Sequence, residues 1–243
     1  PELDAPWRLE DIDGAEVLRV KTLQAKDVNR VQRAVAEWRL PYALLKGLRR
    51  SPLAATRWDG LVWYSPTIFL GPMVRALKRE CGCRGYLILR DLFPDWAVDA
   101  GILRKGLVYR AFKHVERGQY AAADVIGVQT AANIPRVAAD SPPGATIETL
   151  HNWLAKPAVA PPAIHLSTGP LAGRTIFAYT GNMGAAQGMD CLIDLAYRLR
   201  GRRDVGFLFV GRGSDVPRLR AMAEAQGLDG VQFIEEVDSE AIP

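Results

Sequence analysis

Two stretches of the chain place glycine and hydrogen-bonding side chains at the end of an apolar run. In FAYTGNMGAAQGMDCLIDLAYRL, Gly181, Gly184 and Gly188 stand between a strand-like segment and an amphipathic helical one. The spacing is neither G-x-G-x-x-G nor a Walker loop. Glycine lets the backbone turn sharply, and the N–H groups and positive dipole end of the following helix suit a phosphate. Asn182 and Gln187 add side-chain donors. FLFVGRGSDVPRL repeats the arrangement, with Gly211 and Gly213 flanking Arg212. The planar fork of an arginine matches a diphosphate. The chemistry implied is anion binding.

A third stretch, RDLFPDWAVDAG, presents Asp91, Asp95 and Asp99 after a buried-looking strand. A carboxylate just past the carboxyl end of a strand faces the side where α/β sheets bind ligands. Asp91 reads equally as such a carboxylate and as a turn cap, whereas Asp95 and Asp99 read as helix caps. His151, in LHNWL, ends a strand and is a cleft candidate; His114 and His165 read as structural or exposed. Cys81, Cys83 and Cys191 lack the spacing of a zinc site and read as reduced thiols of a cytosolic protein, so neither a metal nor a cofactor is expected.

The elements that position these residues alternate. Strands are expected at 17–21, 60–64, 85–90, 124–129 and 146–150, and helices at 28–48, 72–80 and 104–122 with a short one before 146. Pro41 should kink or divide the first helix. The run KPAVAPPAIHLSTGPLAG, 156–173, carries four prolines and no period and reads as a linker. Alternation then resumes with strands at 175–180, 205–210 and 230–235 and helices at 189–200 and 214–226. The fold class is α/β: two Rossmann-like parallel-sheet domains facing a cleft, 1–155 and 174–243, each sheet covered on both faces. The first domain lacks the opening strand and glycine turn, and the second holds only three strands, so both ends read as cut.

Charge is uneven. Residues 1–155 carry an excess of five positive charges and residues 156–243 an excess of one negative. Within 19–57 ten basic residues face only Asp27 and Glu37. The patch Arg30, Arg33, Trp38, Arg39, Lys46, Arg49 and Arg50 mixes cations with aromatics, as suits a helix lying on an anionic membrane surface. No nucleic-acid motif accompanies it, and no apolar run reaches the ~20 residues of a membrane span.

Taken together, RDLFPDWAVDAG, HNW, YTGNMGAAQGMDCLIDLA and FLFVGRGSD make the chain resemble glycosyltransferase family 4 of the two-domain GT-B fold, in particular bacterial enzymes of surface-polysaccharide synthesis. The resemblance implies metal-independent transfer of a sugar from a nucleotide-sugar donor with retention of configuration, to a lipid-linked or glycan acceptor. It places Gly181, Asn182, Gly184, Gln187, Gly188, Gly211, Arg212 and Gly213 at the donor diphosphate and Glu235 and Glu236 near the base. Asp91 falls at the catalytic position of the acceptor domain. Relatives often carry Arg and Lys where this chain has Asn182 and Gln187, which moves the diphosphate's neutralisation to Arg212. The family's E-x7-E segment would follow Pro243. A cytoplasmic protein peripherally bound to the inner membrane face is the expected setting. The alternatives are a non-catalytic nucleotide-sugar-binding or scaffold protein and a GT-B sugar-nucleotide epimerase, which would need acid/base carboxylates and histidines in the cleft and no membrane patch.

Overall fold

The computed structural model describes residues 4–25, 28–65, 67–153, 164, 166, 168–184 and 187–237. They fall into two compact units, Pro1–Trp153 and Leu154–Pro243.

The first unit opens with an antiparallel hairpin of β1 (Trp7–Ile12) and β2 (Ala15–Val20), in register from Trp7↔Val20 to Ile12↔Ala15. Only β2 was expected from the sequence. The hairpin is closed by Asp13 and Gly14, with φ of 53° and 82°. Asp-Gly tolerates two positive φ values in succession, which is what a two-residue turn between twisted strands requires. Helix α1 (Arg30–Arg50) follows; the Asn29 side chain accepts from the Gln32 N–H at its start. It runs through Pro41 as one helix, so the proline does not divide it. Pro41, Ala36 and Gly47 are buried, so the packed face offsets the one lost N–H. At Gly47 a Cβ would stand 2.6 Å from the Val20 side chain, so glycine there lets the helix lie close on the hairpin.

A four-stranded parallel sheet comes next: β3 (Gly60–Tyr64), β4 (Arg84–Leu89), β5 (Val125–Val128) and β6 (Thr146–Thr149), in that spatial order. Between them run α2 (Gly71–Cys81), α3 (Asp95–Asp99), α4 (Leu107–Tyr120) and α5 (Ile134–Asp140). Trp63, Leu87, Leu89, Ile126 and Val128 point to one face and pack against Val74, Tyr120 and Val137. Each such fully buried apolar side chain contributes about 1.5–3 kcal/mol. The opposite face is not covered among the described residues: Val62 is 70% and Tyr64 51% exposed. The expectation of helices on both faces fails here because the strand order never reverses. Right-handed crossovers in one direction deliver every connecting helix to the same side.

The second unit is a three-stranded parallel sheet, β7 (Thr175–Thr180), β8 (Val205–Val210) and β9 (Val231–Ile234), with α6 (Asp190–Arg198) and α7 (Val216–Ala225) as connections. Phe207 and Phe209 pack with Ile193 and Leu219 on the helix side. On the other side Leu208 and Val210 bury Leu171, with Ile164 and Leu166 against them. This corrects the C-terminal bound of the proline-rich linker, because Leu171 belongs to the core of the second unit. Most of 156–167, His165 included, lies outside the described residues.

Candidate functional site

In the second unit the two glycine turns lie side by side at the carboxyl ends of β7 and β8. The Gly181 N–H donates to Val210 O (2.9 Å), Met183 N–H to Arg212 O (2.8 Å) and Asp215 N–H to Met183 O (3.0 Å). Gly211 and Gly213 have φ of 140° and 157°. A Cβ on Gly211 would sit 2.0 Å from Gly181 O, and one on Gly213 2.0 Å from Met183 O. These two glycines therefore answer to the neighbouring backbone, a packing demand separate from the place at the donor diphosphate that the resemblance gives them. Gly213→Ala is expected to cost about 2 kcal/mol through backbone strain and displacement of the adjoining turn, read as a lowered urea midpoint.

The first turn is held by its own side chains. Gln187 Oε1 accepts from the Gly184 N–H and from Asn182 Nδ2, both at 3.1 Å, and the Tyr179 hydroxyl donates to Asn182 O at 2.8 Å. The Gly184 amide is thus taken by Gln187. Gly188 has φ 58° and open space around its Cα. The first turn of α6 carries Asp190, whose carboxylate meets Arg218 at 2.7 Å; Arg218 also holds Asp215 at 2.9 Å. A carboxylate in that turn opposes an anion there, so the start of α6 is a poorer phosphate seat than the spacing implied.

The second turn is better furnished. The N–H groups of Gly213 and Ser214 have no protein acceptor among the described residues. Between the two turn glycines, Arg212 is 78% exposed, with Nε 3.1 Å from a Glu236 carboxylate that is itself 58% exposed. An exposed pair of this kind contributes roughly 0–1 kcal/mol and exchanges readily with a ligand. Glu235 is exposed beside it. The structure brings together Arg212, Gly213 and Glu236 as a positively charged fork, free amides and an acceptor at one sheet edge.

In the first unit, Asp91 lies just past the end of β4, exposed, and makes no hydrogen bond or ion pair among the described residues. His151 Nδ1 lies 3.2 Å from Gln129 O. Arg90 and Trp153, which sequence reasoning passed over although both stand in the stretches it quoted, meet at the same edge: the Arg90 guanidinium is 5.6 Å from the Trp153 ring centroid.

Asp95 is no helix cap, since Pro94 holds that position. It is buried and accepts from Tyr109 (2.7 Å), Lys113 (3.2 Å) and Arg136 (3.2 Å). Lys113 also pairs with Asp140 at 2.5 Å and with Glu116. Burial would raise the Asp95 pKa, but the bonds from Tyr109 and Lys113 prevail and hold it below the ordinary value. Burial does win at Glu116, whose pKa is raised despite Lys113 and Tyr120. Asp99 reaches Arg136 at 3.4 Å. This network ties the segment after Asp91 to α4 and α5.

On α1, Val31, Val35, Trp38 and Tyr42 form one exposed stripe at helical spacing, flanked by exposed Arg39, Lys46, Arg49 and Arg50. Arg33 pairs with Glu37 at 2.7 Å, and Arg49 meets Glu80. Arg30 is the first residue of the helix. No helix among the described residues is long and apolar enough to cross a membrane. They also contain no group of three or more His, Cys, Asp or Glu placed to hold a metal ion.

Two cavities occur elsewhere. One of about 310 Å³ is lined by Arg174, Arg200, Arg203 and Asp229 at the amino edge of the second sheet. The other, about 440 Å³, lies against α2 beside Pro72 and Lys78. Neither touches the glycine turns.

Solved structures share this fold. TarM matches with a TM-score of 0.54 at 16% identity, covering 82% of this chain and 36% of that one. Anabaena Alr3699/HepE in complex with UDP matches with a TM-score of 0.55 at 13% identity, covering 88% and 56%. The fold is that of the GT-B glycosyltransferases, present here as two Rossmann-like parallel-sheet units. Among curated proteins, the chain is 28% identical over 221 residues to WcaI of Escherichia coli (strain K12), named as a candidate glycosyl transferase of colanic acid biosynthesis. It is 26% identical over 155 residues to WbjE of Pseudomonas aeruginosa, named as a candidate glycosyltransferase. The alignments take in 79% and 60% of this chain, and 49% and 38% of those relatives. No family model matches the chain.

Proposed function

We propose that the protein is a retaining glycosyltransferase of family 4 type, moving a sugar from a nucleotide-sugar donor to a lipid-linked glycan acceptor in surface-polysaccharide synthesis. The observation that carries the reading is Arg212 beside the unbonded amides of Gly213 and Ser214, on a fold that in HepE accompanies bound UDP. The names of WcaI and WbjE support the reaction class.

The mechanism is mainly electrostatic. Charge develops on the departing diphosphate, and Arg212 with the two amides stabilises it without a required metal. The acceptor hydroxyl attacks the face the diphosphate leaves, which retains configuration; the family resemblance assigns Asp91 the catalytic role. Glu236 exchanges its hold on Arg212 for a polar contact to the nucleotide. The test is calorimetric titration of the protein with UDP, GDP and dTDP: saturable binding of one supports the donor site and names the base. Failure of all three to bind the folded protein removes the donor site and leaves the scaffold reading, to which Asn182 and Gln187 in place of the family's cations already point.

The stripe on α1 supports peripheral attachment to the cytoplasmic leaflet, with Trp38 and Tyr42 at headgroup depth and Arg39 and Lys46 on anionic lipid. Joint replacement of Trp38 and Tyr42 by Ala is expected to weaken sedimentation with phosphatidylglycerol vesicles about tenfold or more. Equal sedimentation of parent and variant would remove α1 as the membrane contact.

A further inference from the structure

We propose that Arg90 and Trp153 form a subsite for an anionic sugar of the acceptor, with the ring on Trp153 and a phosphate or carboxylate on Arg90. The name "acceptor" rests on the glycosyltransferase reading; the anion site itself does not.

Leu89, the last residue of β4, is in the core at 3% exposed, and Arg90 follows it at the strand's carboxyl end. There the guanidinium stands 5.6 Å from the Trp153 ring. A contact of that kind satisfies no N–H group, and among the described residues Arg90 Nη1 is buried without a hydrogen-bond partner. A buried donor on a charged group is costly when unsatisfied, so native structures seldom keep one without a reason. The neighbouring Asp91 does not quench it. A two-oxygen anion is what the planar fork accepts in its own plane.

Trp153 is 65% exposed, leaving a large apolar face open beside the cation. Such a face suits the C–H side of a sugar ring, and the cation beside it selects rings that carry a negative charge. His151, two residues earlier in the chain, has its Nδ1 3.2 Å from Gln129 O. Asp91 adjoins Arg90 in the chain, so a sugar seated here presents its free hydroxyls near the carboxylate assigned to the transfer.

The experiment is a tryptophan-fluorescence titration of the whole protein with glucose 1-phosphate, glucuronate and glucose, alongside Arg90→Met, Arg90→Lys and Trp153→Phe. The expected result is saturable quenching by at least one anionic sugar, absent in Trp153→Phe, at least tenfold weaker in Arg90→Met and partly recovered in Arg90→Lys. Response to the phosphate alone marks a phosphorylated acceptor; response to glucuronate alone marks a uronate. Glucose gives no saturable change. Because Arg90 Nη1 is unsatisfied, Arg90→Met should also leave Tm unlowered. No quenching by either anion overturns the proposal, as does a lowered Tm in Arg90→Met with the titration unchanged. Failure of UDP to bind while the anion response persists defeats the donor site and leaves this subsite standing.

Discussion

Replacing Arg212 by Ala is expected to weaken binding of the recognised nucleotide diphosphate by about 10- to 100-fold, the effect of losing a charge-assisted hydrogen bond of about 1.5–3 kcal/mol. The side chain is 78% exposed and its one ion pair is with Glu236, so the protein's own stability should scarcely move. That separates a ligand role from a structural one. Arg212→Lys keeps the charge and loses the fork, and should fall between parent and Ala. Glu236→Gln tests the same geometry from the other side. It removes a carboxylate that competes for Arg212, so binding should tighten about two- to threefold. In the Arg212→Ala background that gain should disappear, since the two residues act through one contact. Calorimetry of the four proteins reads all of this, and undiminished affinity in Arg212→Ala would refute the assignment.

The second large effect concerns stability. Lys113→Met is expected to cost about 3–5 kcal/mol, because it leaves buried carboxylates without their shared cation. Lys113 is 8% exposed at its side chain and touches Asp95, Glu116 and Asp140. Glu116→Gln should cost far less, since burial already raises the Glu116 pKa and disfavours its charged form. The pH dependence follows from the two directions. Asp95 has a lowered pKa in the fold, so its contribution is present above its unfolded value and is lost as pH falls through the folded one. Glu116 acts oppositely: its raised value means stability declines as pH rises from its unfolded value through the folded one. Without Lys113 the main depressing charge on Asp95 is gone, so the variant should gain relative to the parent on acidification. Urea denaturation at a series of pH values measures this. An unchanged midpoint in Lys113→Met at neutral pH would show that the network contributes nothing. Since Asp95 anchors the segment after Asp91, the same variant should raise hydrogen exchange around residues 91–95.

The alternation of strand and helix was legible in the chain because burial imposes local periods. GLVWY, GYLILR and FLFVG are continuous apolar runs, as strands buried in a parallel sheet must be. The glycine turns, the basic α1 and the two-unit division follow from composition in the same way. The hairpin strand β1 was legible too, through Asp13-Gly14, and was missed because WRLEDI alone is too polar to announce a strand.

Other features depend on which distant residues meet, and no local pattern encodes that. Strand order put all the helices of the first sheet on one face and left Val62 and Tyr64 exposed. Register between β7 and β8 set Gly181 against Gly211, which gave Gly211 a packing demand beside its place in the turn. Asp95, a plausible cap in isolation, became the centre of a buried charge network once α4 and α5 supplied Lys113, Tyr109 and Arg136. Arg90 and Trp153 lie far apart in the chain and meet only because β4 and β6 end at the same edge. The chain by itself determined which segments would be strands, helices and glycine turns, because those follow from backbone and hydrophobic preferences within a few residues. Tertiary structure alone decided which charges are satisfied and which remain open, because hydrogen bonds and ion pairs act over a few ångströms in space, whatever their separation in sequence.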